Sequence, residues 1–226
     1  GLINAGPEAS DLFREFVKET GYPCTLTLMG LGAYPSSDPQ FLGMLGMHGT
    51  YEANLAMHGC DVMINIGARF DDRVTGLLSA FSPGSKKIHV DIDPSSINKN
   101  VSVDVPVVGD AATVLAQMLE VWRRKKYSAD KPALEAWWRQ INLWRQRDCL
   151  GFRQTGNVIR PQHAIRRLFE KTAERECFIS TEVGQHQMWA AQYYGFDKPN
   201  RWLTSGGLGT MGYGLPAAVG AQVAHP

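Results

Sequence analysis

A chain of 226 residues suggests one large or two small domains, and a composition that is 44% hydrophobic and 20% charged suits a packed core. A formal net charge of +1 argues against a nucleic-acid partner or an anionic membrane surface. The four cysteines, Cys24, Cys60, Cys149 and Cys177, lie too far apart for a metal motif and read as reduced, mostly buried thiols of a cytosolic type of compartment.

In chain order, Gly6-Pro7 opens a first helix whose Ala9, Leu12, Phe13, Phe16 and Val17 share one face. The first residues resemble mid-domain sequence rather than a signal peptide. A short strand is predicted over Cys24 to Leu28, and Met29-Gly30-Leu31-Gly32 then implies either close backbone approach or a plain tight turn. Glycines 43, 46 and 49 follow among methionines, with Thr50 capping a helix through Ala56 and His48 just ahead of it.

Val62 to Ile66 is an apolar run that stops at Gly67, and Arg69, Asp71, Asp72 and Arg73 come directly after. A buried parallel strand reads this way, and ligands in open α/β sheets bind beyond the carboxyl ends of such strands. A solvated loop with local ion pairs accounts for the same charges. Lys87 to Asp93 is a further strand. Its Asp91 interrupts apolar neighbours, and Asp93 opens a turn with Pro94-Ser95-Ser96. Val105 to Val108 is a fourth strand, and Asp110 caps a helix with the face Val114, Leu115, Met118, Leu119 and Trp122. The basic run Arg123 to Lys126 suits a helix C-terminus. Trp137, Ile141 and Trp144 stripe an amphipathic helix for core or inter-domain packing, and Gly151 to Arg160 has the character of a linker.

A second α/β unit begins at Pro161, with a helix face of Ala164, Ile165, Leu168 and Phe169. Strands are predicted over Cys177 to Thr181 and Trp202 to Ser205, with Glu182 to Trp189 leading into a helix between them. Trp202 to Pro226 lacks Asp, Glu, Lys and Arg, but six glycines and two prolines make it a turned loop and buried helix rather than a membrane span. The pattern breaks off in mid-helix, so both ends read as cut from something longer. Strands alternating with helices imply a parallel-sheet α/β architecture, in two separate sheets.

Gly207-x-Gly209-x-x-Gly212 fits the spacing of a dinucleotide fingerprint, but only 14 residues follow Gly212, too few for the acidic residue expected roughly 20 positions on. The narrower inference is backbone approach to a phosphate at a helix N-terminus, with tight strand–helix packing as the alternative use of the glycines.

Four segments together resemble the acetohydroxyacid synthase (acetolactate synthase) catalytic-subunit family. They are Leu45-Gly-Met-His-Gly-Thr, Gly67-Ala-Arg-Phe-Asp-Asp-Arg-Val-Thr-Gly, Val183-Gly-Gln-His-Gln-Met-Trp, and the glycine-rich run from Ser205 to Ala218. The resemblance covers nearly the whole chain and is vague only from Lys126 to Arg160. It implies a Rossmann-like central FAD-binding domain over 1–125 and a helical linker over 126–160. Over 161–226 it implies the opening part of a thiamine-diphosphate-binding domain.

By the same resemblance, a first central strand and an N-terminal domain with the activating glutamate would precede Gly1. The magnesium motif would lie beyond residue 226, so neither a catalytic residue nor a metal ligand is expected here, and the fragment alone is expected to be inactive. FAD would be held by Thr27, Leu28, Leu45, Gly46, Met47, His48, Gly49, Thr50, Gly67, Arg69, Asp71, Arg73, Val74, Asp91, Ile92, Asp110 and Ala111. Thiamine diphosphate, with its Mg2+, would meet Val183, Gly184, Gln185, His186, Gly209 and Met211, and Arg73 would orient the substrate carboxylate.

The implied reaction joins pyruvate to a second 2-ketoacid with decarboxylation, at the first common step of branched-chain amino-acid synthesis. The implied partners are a second copy of the chain, in a homodimer or larger oligomer, and a small regulatory subunit. The implied compartment is the cytoplasm, or an organelle stroma or matrix in a eukaryote. Two alternatives stand beside this reading: another thiamine-diphosphate 2-ketoacid enzyme such as a glyoxylate carboligase, and a nucleotide-binding module without catalysis.

Overall fold

The computed structural model describes residues 6–226; residues 1–5, with which the expected central domain begins, lie outside them. The chain runs α1 (Pro7–Thr20), β1 (Cys24–Leu26), β2 (Phe41–Met44), α2 (Tyr51–Gly59), β3 (Val62–Ile66) and a single-turn α3 (Asp72–Thr75). It continues through β4 (Lys86–Asp91), β5 (Val105–Val108), α4 (Ala111–Arg124), α5 (Lys131–Arg145) and α6 (Pro161–Thr172). The last elements are β6 (Ile179–Thr181), α7 (Gln185–Tyr193), β7 (Trp202–Thr204) and α8 (Gly214–Ala224).

Every strand pairing among the described residues is parallel: β1 with β2, β4 between β3 and β5, and β6 with β7. The α/β class is as expected, but among the described residues hydrogen bonding divides the strands among three sheets rather than two. The extra division falls between β1 and β3. Among the described residues each is paired on one side only, and both line one broad cleft instead of meeting.

Several boundaries differ from expectation for local reasons. Strand β1 ends at Leu26, because Gly30 N–H donates to Thr27 O at 2.8 Å and closes a 3-10 turn. Strand β4 ends at Asp91, and Asp93 caps the turn Pro94–Ser96 through Ser95 N–H at 2.9 Å, the role its turn sequence indicated. Strand β6 begins at Ile179 rather than Cys177, and β7 ends at Thr204. Strand β2 had no clear sequence signal. It contains Gly43 at φ +96°, where an added Cβ would lie 2.5 Å from the Thr50 methyl.

Helix α1 closes on Gly21 at φ +73°, whose N–H donates to Val17 O at 3.0 Å. Its Ala9, Phe16 and Val17 pack into the main core with Leu115 and Leu119 of α4 and Leu26 of β1. The same core takes in Ala190, Tyr194, Phe196 and Trp202, so the C-terminal elements share it. Arg123, at the end of α4, also pairs with Glu15 and Glu19 of α1, which ties the two helices together. A second core forms where α5 crosses α2: Ile141 is fully buried against Leu42, Ala53 and Ala56, with Trp137 and Trp144 edge to face at 5.4 Å. The tryptophan stripe is core, as its spacing indicated.

All four cysteines are free, but only Cys24 is buried, and Cys149 is exposed, so the expectation of mostly buried thiols is corrected. No described helix is long and apolar enough to cross a membrane.

Candidate functional site

The cleft beyond the ends of β1, β3 and β4 has a volume of about 2680 Å³. Single small-molecule pockets are roughly 300–1,000 Å³, so this one has room for more than one group. Its floor is apolar, with Leu26, Ile64 and Ile66 from the strand edges, and its mouth is lined by the turns that follow those strands.

The turn after β3 is built from within. Gly67, at φ +70°, extends the ladder by donating its N–H to Val90 O at 2.7 Å. The buried Asn65 side chain then holds the backbone of Ala68 from both sides, accepting its N–H at 3.1 Å and donating to its carbonyl at 2.6 Å. Phe70 is forced to φ +53°, a conformation that costs a non-glycine residue roughly 1–3 kcal/mol. Its ring is buried edge-on against Phe81 at 5.7 Å and His89 at 5.0 Å, and Asn100 Nδ2 donates to its carbonyl at 2.9 Å. With Phe70 turned inward, Arg69 and Asp71 on either side both line the cleft. Asp71 also caps α3 through Arg73 N–H at 3.1 Å and faces Arg69 Nε at 3.7 Å, so the local ion pair is present within the cleft lining.

The Leu45–Thr50 segment docks on this turn. Met47 N–H donates to Arg73 O at 2.8 Å, and a Cβ on Gly46 would lie 2.5 Å from that same oxygen. Asn54 clamps Gly46 through both its N–H and its carbonyl. Thr50 caps α2 by accepting Ala53 N–H at 3.2 Å. Leu45, Met47 and His48 line the cleft. Gly46, Gly49 and Thr50 lie behind them and shape the segment.

At the end of β4, Asp91 and Ile92 both line the cleft. His89 behind them is fully buried, neither of its ring nitrogens has a hydrogen-bond partner among the described residues, and Nε2 lies 3.7 Å from Asp91 Oδ2. Burial pushes the His89 pKa below its ordinary value despite the pull of the Asp91 carboxylate, so the ring is neutral. Thr27 and Leu28 complete this side of the cleft. Asp110 and Ala111 are not brought to it: Asp110 is engaged in capping α4 through Thr113 N–H at 3.0 Å, and Ala111 is buried in the main core.

The C-terminal elements reach the same cleft. Val183, Gly184 and Gln185 line it, together with Met188, Gly206, Gly207, Leu208 and Tyr213, none of which the four motifs had assigned as contacts. Gly184 has φ +152° and precedes α7, whose first N–H groups lack intrahelical acceptors. Gly209 and Met211 sit on the loop between β7 and α8, and Met211 is 77% exposed.

The head of α8, where a phosphate was expected, is occupied by the protein itself. The Glu182 carboxylate accepts the N–H groups of Gly212, Tyr213 and Gly214. Likewise, the close approach inferred at Gly32 is to protein, since a Cβ there would lie 2.2 Å from Lys198 O. Glu182 went unassigned because its partners lie some 30 residues further on. Its one sequence signal was an acidic residue directly after an apolar strand. No group of three or more His, Cys, Asp or Glu side chains among the described residues is placed to hold a metal.

Comparison with known proteins adds to this geometry. Residues 2–118 match the thiamine pyrophosphate enzyme, central domain, and residues 182–226 match the thiamine pyrophosphate enzyme, C-terminal TPP binding domain. The chain is 49% identical over 226 residues to the acetolactate synthase large subunit of Haemophilus influenzae, covering 100% of this chain and 39% of that protein. It is 48% identical over 226 residues to the acetolactate synthase isozyme 3 large subunit of Escherichia coli, again 100% of this chain and 39% of the relative. With the chloroplastic acetolactate synthase of Arabidopsis thaliana it shares 48% identity over 228 residues, 100% of this chain and 33% of that one. The chain thus spans well under half the length of the relatives it matches.

Proposed function

This chain belongs to the thiamine pyrophosphate enzyme family, and on that premise we propose that it is part of an acetolactate synthase large subunit. In this reading the whole enzyme condenses two pyruvates, or pyruvate and 2-ketobutyrate, with loss of carbon dioxide. The products are 2-acetolactate and 2-aceto-2-hydroxybutyrate, at the first common step of branched-chain amino-acid synthesis. The observation that carries the reading is the match of the entire chain to acetolactate synthase large subunits. The geometry supports it, because segments from both family domains open on one cleft.

We assign residues 1–125 to a central FAD-binding domain, 126–160 to a helical linker and 161–226 to the start of the thiamine-diphosphate domain. The irregular stretch before α6 and the gap between the two family matches, which end at residue 118 and resume at 182, support a linker between two domains.

The cleft lining supports the proposed cofactor sites in part: Val183, Gly184 and Gln185 reach it, whereas His186, Gly209 and Met211 lie outside it. For FAD, the turn from Gly67 to Val74 and the segment from Leu45 to Thr50 offer closely docked backbone. Thr27, Leu28, Asp91 and Ile92 close the far side. Asp110 and Ala111, which stand at the head of α4 outside the cleft lining, are assigned to complete the set. For thiamine diphosphate, the free N–H groups of Gln185 and His186 at the head of α7, beside Val183 and Gly184, suit a diphosphate. Mg2+ is assigned no ligand among the described residues.

Thiamine diphosphate, when bound, supplies the carbanion chemistry that lets carbon dioxide leave one 2-ketoacid and its two-carbon remainder join another. The chain's own residues do the rest of the work assigned here. The Arg73 guanidinium orients the carboxylate of an incoming 2-ketoacid. Met211, unbranched and polarizable, would pack against the cofactor ring when it is bound, with Gly209 giving the loop its turn at φ +69°. The flavin-holding turns keep the wall of the cleft in register.

The proposed partners are a second copy of the chain, completing the thiamine site, and a small regulatory subunit, as the relatives' "large subunit" names imply. Helix α8, expected to be buried, instead exposes Leu215, Val219 and Val223, which supports a covered face in the assembly. A cytoplasmic compartment, or a plastid one, is proposed by analogy with the bacterial and chloroplastic relatives. The test is a product assay on the full-length protein. Thiamine-diphosphate-dependent acetolactate from pyruvate is the expected result; tartronate semialdehyde from glyoxylate would reassign it to a carboligase.

A further inference from the structure

Glu182 follows the last residue of β6 and lies outside the cleft lining, yet it governs the loop that carries Met211. Its carboxylate accepts the backbone N–H of Gly212, of Tyr213 at 3.0 Å and of Gly214 at 2.6 Å. The packing at this point leaves no slack: a Cβ on Gly214 would lie 2.9 Å from Glu182 N and 3.1 Å from Oε1. Ser180 Oγ adds a hydrogen bond to Gly214 O at 2.8 Å. At the other end of the loop, Thr210 N–H donates to Ser205 Oγ at 2.7 Å. The loop is therefore pinned on both sides of Met211 while Leu208 and Met211 themselves stand 97% and 77% exposed.

Burial raises the Glu182 carboxyl, but the N–H donors of Gly214, Gly212, Tyr213 and Leu215 outweigh it and hold the group below the usual carboxylate range. It is an anion at neutral pH, and an anion at the head of α8 repels a phosphate there.

We propose that Glu182 is a positioning residue. It presents Met211 to the thiamine ring by anchoring the backbone just beyond it, and it takes no part in holding the diphosphate. The inference rests on the thiamine-diphosphate reading above. It adds a residue that acts through the loop rather than through the cofactor.

The test uses the full-length enzyme with Glu182→Ala and Glu182→Gln. Hydrogen exchange of the cofactor-free protein reads the amides of Gly212 to Gly214 directly. In Glu182→Ala these should exchange at least about 10-fold faster, the loss expected of hydrogen bonds to a charged acceptor. Turnover at saturating cofactor should fall about 10-fold or more, while the dissociation constant for thiamine diphosphate, read by fluorescence quenching, changes less than about 3-fold. Glu182→Gln, which keeps one acceptor oxygen, should fall between the two.

Unchanged amide exchange with wild-type turnover in Glu182→Ala overturns the proposal. So does a loss confined to cofactor affinity and restored by excess thiamine diphosphate, which would put Glu182 in cofactor binding. Should Glu182→Ala fail to fold, Glu182→Asp carries the same measurements, one methylene short of the amides. A wild-type enzyme that ignores thiamine diphosphate overturns the cofactor premise, even where exchange finds the anchor intact.

Discussion

His89 Nε2 and Asp91 Oδ2 lie 3.7 Å apart at the end of β4, and among the described residues the fully buried imidazole has no hydrogen-bond partner on either nitrogen. Unfolding exposes this ring to water and restores a pKa near its ordinary 6.5, whereas burial keeps the folded value lower. Below that ordinary value the unfolded chain therefore binds more protons, and stability is lost as pH falls, by at most about 1.4 kcal/mol per pH unit for this group. Above it the group contributes no slope. Replacing His89→Phe keeps an aromatic ring against Phe70 and should flatten this part of the acid limb, as read by urea unfolding at a series of pH values. An unchanged slope would mean that His89 is not the titrating group.

Arg69 flanks the inward-turned Phe70 and lines the cleft without structural work of its own beyond the 3.7 Å pairing with Asp71. An Arg69→Ala full-length enzyme should fold with near-native stability and bind FAD about 10-fold more weakly, the loss of about 1.4 kcal/mol. Flavin absorbance remaining after dialysis measures it. Full retention would remove Arg69 from the flavin assignment.

Gly46 carries the opposite expectation. At φ +92°, with a Cβ position 2.5 Å from Arg73 O, alanine there must push the Leu45–Thr50 segment off the turn after β3. Gly46→Ala should lower thermal stability by several degrees, in line with roughly 1–3 kcal/mol of backbone strain. It should weaken flavin retention with it. A melting temperature equal to wild type would contradict the docking described here.

Met211 is exposed on a pinned loop, so its removal should leave the fold alone. Met211→Gly in the full-length enzyme is expected to cut turnover at least about 10-fold with a change in unfolding free energy within about 0.5 kcal/mol. Steady-state kinetics beside a melting curve separates the two. Normal turnover would end its assigned part beneath the cofactor ring.

Much of the frame was legible in short-range patterns. Val62 to Ile66 announced itself as an apolar run stopped by glycine and charge. Thr50 and Asp110 stood where caps stand, directly before helical spacing, and both accept the third N–H of their helices. Strand β2 was hidden because Gly43 breaks its pattern and its pairing with β1 is irregular, so it exists only through tertiary contact. The turn after β3 was recognised by its charges, but what shapes it is the burial of Phe70 between Phe81 and His89, residues that sequence spacing does not connect. The glycines before α8 read as a phosphate cradle because the anion that fills it, Glu182, lies some 30 residues earlier in the chain.

The one-sided pairing of β1 and β3 has a practical consequence for anyone handling this polypeptide in isolation. A parallel strand with one free row of N–H and C=O groups is a template for another chain, and among the described residues two such rows border the same apolar trough. Neither is blunted by proline, and the adjoining side chains Leu26, Ile64 and Ile66 favour adhesion over repulsion. Light scattering of the 226-residue piece should therefore rise with concentration, and a short apolar peptide added in excess should suppress the rise by occupying the gap.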